Sequence, residues 1–252
     1  MEHLTSLKNP KVMMWRALKD RTGRRETGLF LVEGRKMTEE ALASSFTVDT
    51  ILVDETRIDE FDLPADVPVC ALPPHVLAAV CDTKTPQGIA AVVRMQGSLP
   101  AGRRLIALDG VQDPGNVGTI IRTADCAGIE GVLLSEQCAD IFSPKVLRAT
   151  MGSIFRMPML VTGDLPGVLS GLVRDGYHVL SSQLDGEPFY QYSGQNGRYC
   201  LVIGSEGNGV SEPVRALATH RVKLPMRGGA ESLNAAVAAG IMMYHLTRED
   251  DL

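Results

Sequence analysis

Asn116, Arg122, Glu206, Ser232 and Asn234 are the residues of this chain best suited to chemistry, and they fall in three separated segments. The segments read DGVQDPGNVGTIIRTA (109–124), LVIGSEGNGVS (201–211) and LPMRGGAESLNAAVAAG (224–240). One guanidinium, one carboxylate and small hydrogen-bonding side chains set among glycines can hold a ligand along bare backbone and stabilise a developing oxyanion. No nucleophile stands out among them. Each residue also has a local reading. Asn116 can cap the helix that follows it, and Ser232 can do the same for the last helix. Arg122 can pair with Asp125 one turn on, and Gly204–Gly209 can be a glycine-rich turn feeding a helix.

Other chemistries are disfavoured. There is no GxGxxG after the first strand, and the glycine spacing at 110–115 is followed by Asn116 rather than the lysine of a phosphate-binding loop. His3, His75, His178, His220 and His245 have no metal-like spacing, and there is no Gly-x-Ser-x-Gly elbow. Cys70, Cys81, Cys126, Cys138 and Cys200 form no CxxC pair, so no metal site is expected and the thiols suit a reducing, cytoplasmic compartment.

Positioning three such segments requires strands that end together. The Gly/Pro/Ser-punctuated stretch Met95–Arg104 separates two α/β regions. Before it, strands are predicted at Leu29–Val32, Thr50–Val53, Val67–Ala71 and Ile89–Val93, with helices at Pro10–Lys19, Lys36–Ser44 and Pro74–Cys81. After it, strands at Leu105–Val111, Gly131–Ser135, Arg156–Val161, His178–Ser182, Tyr199–Ile203 and Arg221–Leu224 alternate with helices. The helices are placed at Val117–Ala127, Ser143–Met151, Leu165–Asp175, Glu212–Ala218 and Ser232–Thr247. That alternation implies a mostly parallel sheet covered on both faces, whose strand carboxyl ends form a ligand crevice.

The chain of 252 residues, 44 % of them hydrophobic, can build one large or two ordinary domains. Its longest apolar run, Ala235–Met243, is far short of the roughly 18 residues that cross a membrane. MEHLTSLKNP has no apolar core of a secretory signal. The net charge of −5 conceals a basic N-terminal region: Lys8, Lys11, Arg16, Lys19, Arg21, Arg24, Arg25, Arg35 and Lys36 face only Glu2, Asp20, Glu26 and Glu33 over residues 1–36. Such a run is a solvated helix face or a phosphate-binding surface.

Taken together, the three segments closely resemble the three motifs of the SpoU (TrmH-like) family of RNA ribose 2′-O-methyltransferases. DPGNVGTIIRTADCAG resembles the first, IGSEGNGVS the second and LPMRGGAESLNAAVAAG the third. The stretch from LTSLKNPKVMMWRALKD to EGRKMTEEAL, with DTKTPQGIAAVV (82–93), resembles the family's L30e-like substrate-binding domain. Two departures, Ser205 where Asn is common and Ala235 where Val is common, touch no residue given a role. The resemblance implies an L30e-like RNA-binding domain over 1–97 and a methyltransferase domain over 104–252 with a deep trefoil knot.

It further implies S-adenosylmethionine as cofactor, bound by Ile203, Gly204, Glu206, Gly207, Leu224, Met226, Ser232 and Leu233, and a homodimer through the C-terminal domain. Arg122 acts on the ribose 2′-hydroxyl; the family's usual role for it is general base. A guanidinium does not readily lose a proton, so electrostatic stabilisation and positioning fit better. Asn116 and Asn234 would orient the ribose or Arg122, Ser232 would bond near the site, and Glu206 would anchor Arg122. Lys8, Lys11, Arg16, Lys19, Arg24, Arg25 and Arg35 would meet RNA phosphates. The expected substrate is large-subunit ribosomal RNA. Two alternatives are a tRNA ribose methyltransferase and a non-catalytic RNA-binding assembly factor, and loss of Arg122, Glu206 or Asn234 would have favoured the latter.

Overall fold

The computed structural model describes residues 1–194 and 197–248. They form two compact units, one of residues 1–96 with 140–156 and one of the described residues among 97–139 and 157–248.

The first unit begins with β1 (Glu2–His3), α1 (Pro10–Ala17), α2 (Arg21–Thr27), β2 (Leu29–Glu33) and α3 (Arg35–Leu42). β3 (Val48–Asp54), β4 (Val69–Leu72), α4 (Pro74–Val80) and β5 (Ile89–Arg94) follow. α1 starts where Asn9 accepts from the Lys11 amide at 2.9 Å and Pro10 takes the first helical position. α1, expected to reach Lys19, ends at Ala17; α2 starts after Asp20 and ends at Gly28, whose φ of +67° closes the helix without Cβ strain. The sheet runs β1-β4-β3-β5-β2, with β5 antiparallel to both β2 and β3.

The second unit continues with β6 (Arg104–Asp109), α5 (Pro114–Cys126) and β7 (Gly131–Ser135). The next helix, α6 (Pro144–Thr150), packs instead with the first unit. Residues 140–156, inside the segment 104–252 expected as the methyltransferase domain, group with the first unit. The cause is local: Phe142 and Phe155 lie 4.7 and 6.3 Å from the Phe30 ring, and Asp140 pairs with buried Arg24. The strand expected from Arg156 starts only at Met159, because Ser153–Phe155 form a 3₁₀ turn and Arg156 bonds Glu40.

β8 (Met159–Thr162), α7 (Leu165–Arg174), β9 (His178–Pro188), β10 (Tyr199–Gly204), α8 (Glu212–Arg215), β11 (His220–Lys223) and α9 (Ala235–Thr247) complete the chain. The six strands run in the order β11-β9-β10-β6-β7-β8, every neighbour parallel. Near-continuous burial along β6, β7 and β10 is what a parallel sheet covered on both faces demands. β9 outruns its expected end at Ser182: its register with β11 jumps from Arg221↔Ser181 to Val222↔Glu187 across a bulge. β6 leads outward to β7 on one side while β10 adjoins β9 on the other, so the carboxyl ends of β6 and β10 flank the switch point of the sheet. Among the described residues no helix is long and apolar enough to cross a membrane.

Candidate functional site

The site is built from strand ends outward. β6 closes on Asp109, whose Oδ2 accepts from the Ser211 amide at 2.7 Å and so ties the first motif to the second. The next amide, Gly110, donates to Ser135 Oγ at 2.9 Å, locking the loop against β7. Asp113, not Asn116, caps α5: its Oδ1 accepts from the Asn116 amide at 2.8 Å. Relieved of that task, the Asn116 carboxamide reaches across the site.

After β10 the backbone turns so tightly that a Cβ on Gly204 would sit 2.1 Å from the Gly209 carbonyl carbon. Only glycine fits there. Ser205 and Gly209 exchange backbone hydrogen bonds of 3.0 and 2.9 Å, and Ser205 Oγ accepts from the Asn208 amide. The loop is thereby pinned, with Glu206 exposed upon it.

The third segment enters through Asn234, which is the N-cap of α9 where Ser232 had been a candidate. Its Oδ1 accepts from the amides of Ala236 and Val237 at 2.9 and 3.2 Å. Its Nδ2 donates to Asn116 Oδ1 at 2.9 Å, and Asn116 Nδ2 donates to Glu206 Oε1 at 2.6 Å. One relay thus joins all three motifs, and its direction fixes both carboxamides. Glu206 therefore holds Asn116 rather than Arg122. Arg122 is exposed on α5 and makes no hydrogen bond or ion pair among the described residues, leaving its guanidinium fork available.

Ile203 is buried in β10 and Gly207 lies on the pinned loop. Leu224 is half-buried, whereas Met226, Ser232 and Leu233 are exposed along the 224–234 segment. No hydrogen bond among the described residues joins that segment to the relay except through Asn234.

A cleft of about 630 Å³ opens at the ends of β6, β7, β8 and β10. Glu206 and Gly207 line it, with Gln112, Gln137, Asn208, Leu165 and Pro166, none of which was singled out in the sequence except Glu206 and Gly207. Their only sequence signal is a position just beyond a strand's carboxyl end or inside the glycine loop.

Four of the five thiols are buried and poorly suited to act as nucleophiles. Burial pushes Cys70 up to about 11 and Cys81 up to about 12, and raises Cys138 and Cys200 as well.

The basic N-terminal residues divide sharply. Arg24, 3 % exposed, donates to Asp140 at 2.6 and 3.1 Å and to the carbonyls of Leu18 and Lys19. It is a buried structural ion pair, which corrects its assignment to RNA. Lys19 donates to the Ala79 carbonyl, Lys11 pairs with Glu2 at 2.6 Å, and Arg35 donates to the Glu60 carbonyl and lies over Phe61. Lys8, Arg16 and Arg25 are exposed and make no side-chain bond among the described residues.

The sequence model of the SpoU rRNA Methylase family matches residues 103–244, and that of the MRM3-like substrate binding domain matches residues 9–91. The chain is 42 % identical to the 23S rRNA (guanosine(2553)-2′-O)-methyltransferase RlmP of Bacillus subtilis (strain 168), over 98 % of this chain and 99 % of that one. An S-adenosylmethionine-bound rRNA methyltransferase from Sinorhizobium meliloti has a similar structure, with a TM-score of 0.89, 30 % identity and 98 % coverage of both chains. The SpoU methyltransferase AviRb of Streptomyces viridochromogenes, also in complex with that cofactor, gives a TM-score of 0.85 at 27 % identity, covering 97 % of this chain and 99 % of that one.

Proposed function

The chain belongs to the SpoU rRNA methylase family, and from that premise we propose how its residues perform the reaction. The enzyme transfers a methyl group from S-adenosylmethionine to a ribose 2′-oxygen of ribosomal RNA. The observation that carries the residue assignment is the relay Asn234–Asn116–Glu206, which draws three distant motifs together beside the strand ends.

The loops fit the cofactor. A Cβ built on Gly207, Gly228 or Gly229 meets nothing within 4 Å, so bare backbone faces open space there. Ile203, Gly204, Glu206, Gly207, Leu224, Met226, Ser232 and Leu233 would hold it. When bound, the cofactor supplies a methyl group already activated on a sulfonium.

The remaining work is alignment and charge stabilisation. Arg122 carries no competing ion pair, and its two-pronged donor geometry suits a ribose oxygen gaining negative charge. Asn116, held from both sides, orients the ribose. Asn234 positions Asn116, and Ser232 adds a hydroxyl from the adjoining segment. The 2′-hydroxyl proton leaves to water or a phosphate oxygen, since a guanidinium is a poor base.

Lys8, Lys11, Arg16, Arg25 and Arg35 meet RNA phosphates on the first unit, with Lys19 contributing its stem. A trefoil knot in the second unit accords with the strand order and with α9 packing on α5 and β10. The enzyme is a homodimer: Val237, Ile241 and Tyr244 form an exposed apolar stripe on α9. The buried free thiols suit the reducing cytoplasm.

Large-subunit rRNA is the expected acceptor. The test is transfer of labelled methyl to unmodified large-subunit rRNA, small-subunit rRNA and tRNA in parallel. Label confined to large-subunit rRNA supports the assignment. Label in tRNA alone moves the substrate while keeping the chemistry, and no transfer despite cofactor binding favours a binding-only role.

A further inference from the structure

The cleft at the ends of β6, β7, β8 and β10 has features that the cofactor assignment does not use. Its size, about 630 Å³, is that of small-ligand sites, roughly 300–1,000 Å³. Leu165 and Pro166 supply an apolar wall. The carboxylate of Asp109 is already engaged by the Ser211 amide, and Ser135 Oγ by the Gly110 amide. Free polar groups in it include the carboxamides of Gln112, Gln137 and Asn208, which make no hydrogen bond among the described residues.

Carboxamides both donate and accept, as the edge of a nucleobase does. No lysine or arginine lines the cleft, so it is unsuited to a phosphate. Leu224, Met226, Ser232 and Leu233 do not line it either, which separates it from most of the cofactor set. Glu206 is shared between the cleft and the relay. A ribose oriented by Asn116 carries its base on C1′, the neighbour of the carbon that bears the reacting 2′-oxygen, so the base must lodge beside the relay. Enzymes acting on a single nucleotide commonly take it out of the stack, and RNA readers bind unstacked bases through their edges and faces.

We propose that this cleft receives the unstacked base of the nucleotide being methylated, with the three carboxamides reading its edge and Leu165 and Pro166 packing on its face. The proposal rests on the reaction assigned above.

The test uses the full chain in two altered forms. Gln112→Ala with Gln137→Ala removes edge contacts. Gly163→Met fills the cleft: the nearest atoms to a Cβ on Gly163 are those of the Glu136 carboxylate, at an ordinary 3.6 to 3.7 Å, so the fold tolerates it. With large-subunit rRNA as acceptor, kcat/KM falls about tenfold for the double variant and further for Gly163→Met. Calorimetric affinity for S-adenosylmethionine stays within about twofold of the parent. Parallel loss of cofactor affinity would assign the cleft to the cofactor and overturn the proposal, as would unchanged methylation by Gly163→Met.

A second readout does not depend on turnover. With S-adenosylhomocysteine saturating the protein, saturation-transfer NMR on guanosine, adenosine, cytidine and uridine shows contact at base protons of at least one nucleoside, abolished by Gly163→Met. Absence of base contact overturns the cleft assignment. Failure of the unaltered protein to methylate any RNA, with base contact present, counts against the reaction alone.

Discussion

At the scale of single residues, Asn116 uses both ends of its carboxamide, accepting from Asn234 and donating to Glu206. Groups linked this way act as a unit, and their losses do not add. Asn116→Ala and Glu206→Gln should each lower kcat/KM by about tenfold, and the pair together by little more than either alone, in steady-state assays. Arg122 behaves differently because it stands apart from the relay. Arg122→Lys keeps the charge but not the fork, and a loss of about 100-fold in kcat with cofactor affinity unchanged is expected from its proposed role at the developing alkoxide. Full activity with lysine would mean that a point charge suffices.

At the scale of elements, Asn234 serves α9 with its oxygen and the site with its nitrogen, so the two duties can be separated. Asn234→Asp keeps an N-cap acceptor and loses the donor to Asn116; melting temperature should hold while activity falls. Asn234→Ala loses both, costing about 1 kcal/mol of stability besides. The strand and helix alternation was largely legible, because buried parallel strands are apolar runs and Pro or Gly marks their ends. The motif residues were legible as polar exceptions at those ends. Pairing was not: Arg24 reads as one more cation in a basic run, and only the fold brings Asp140 to bury it. Asn116 reads as the cap of α5 in the sequence, and backbone geometry gives that task to Asp113. The cleft carboxamides of Gln112 and Gln137 lack any spacing pattern, since they converge only when β6 and β7 end side by side.

At the scale of the whole molecule, the stripe Val237, Ile241 and Tyr244 is the surface expected to meet a second copy. Ile241→Arg should yield a monomer by light scattering, with loss of methyl transfer; a dimer unchanged by it would place the interface elsewhere. Stability should also depend on pH through the opposite end of the sheet. Burial, with His178 beside it, holds the His220 imidazole below its ordinary value of 6.5, against a weaker pull from Glu187. The unfolded chain then binds the proton more readily than the folded one, so stability is intact above about pH 6.5 and falls as pH drops through the folded value. His220→Gln should flatten that acid decline in thermal melts taken across pH 5 to 8, a window set by about one unit either side of the ordinary histidine value. The reaction turns on a single atom, the ribose 2′-oxygen. A 2′-O-methyl group removes the nucleophile of alkaline strand cleavage, so the decisive measurement is alkaline hydrolysis of rRNA labelled by the enzyme. Label in alkali-resistant dinucleotides, absent with Arg122→Ala, is the predicted result; label released in mononucleotides would place the methyl group on a base and contradict it.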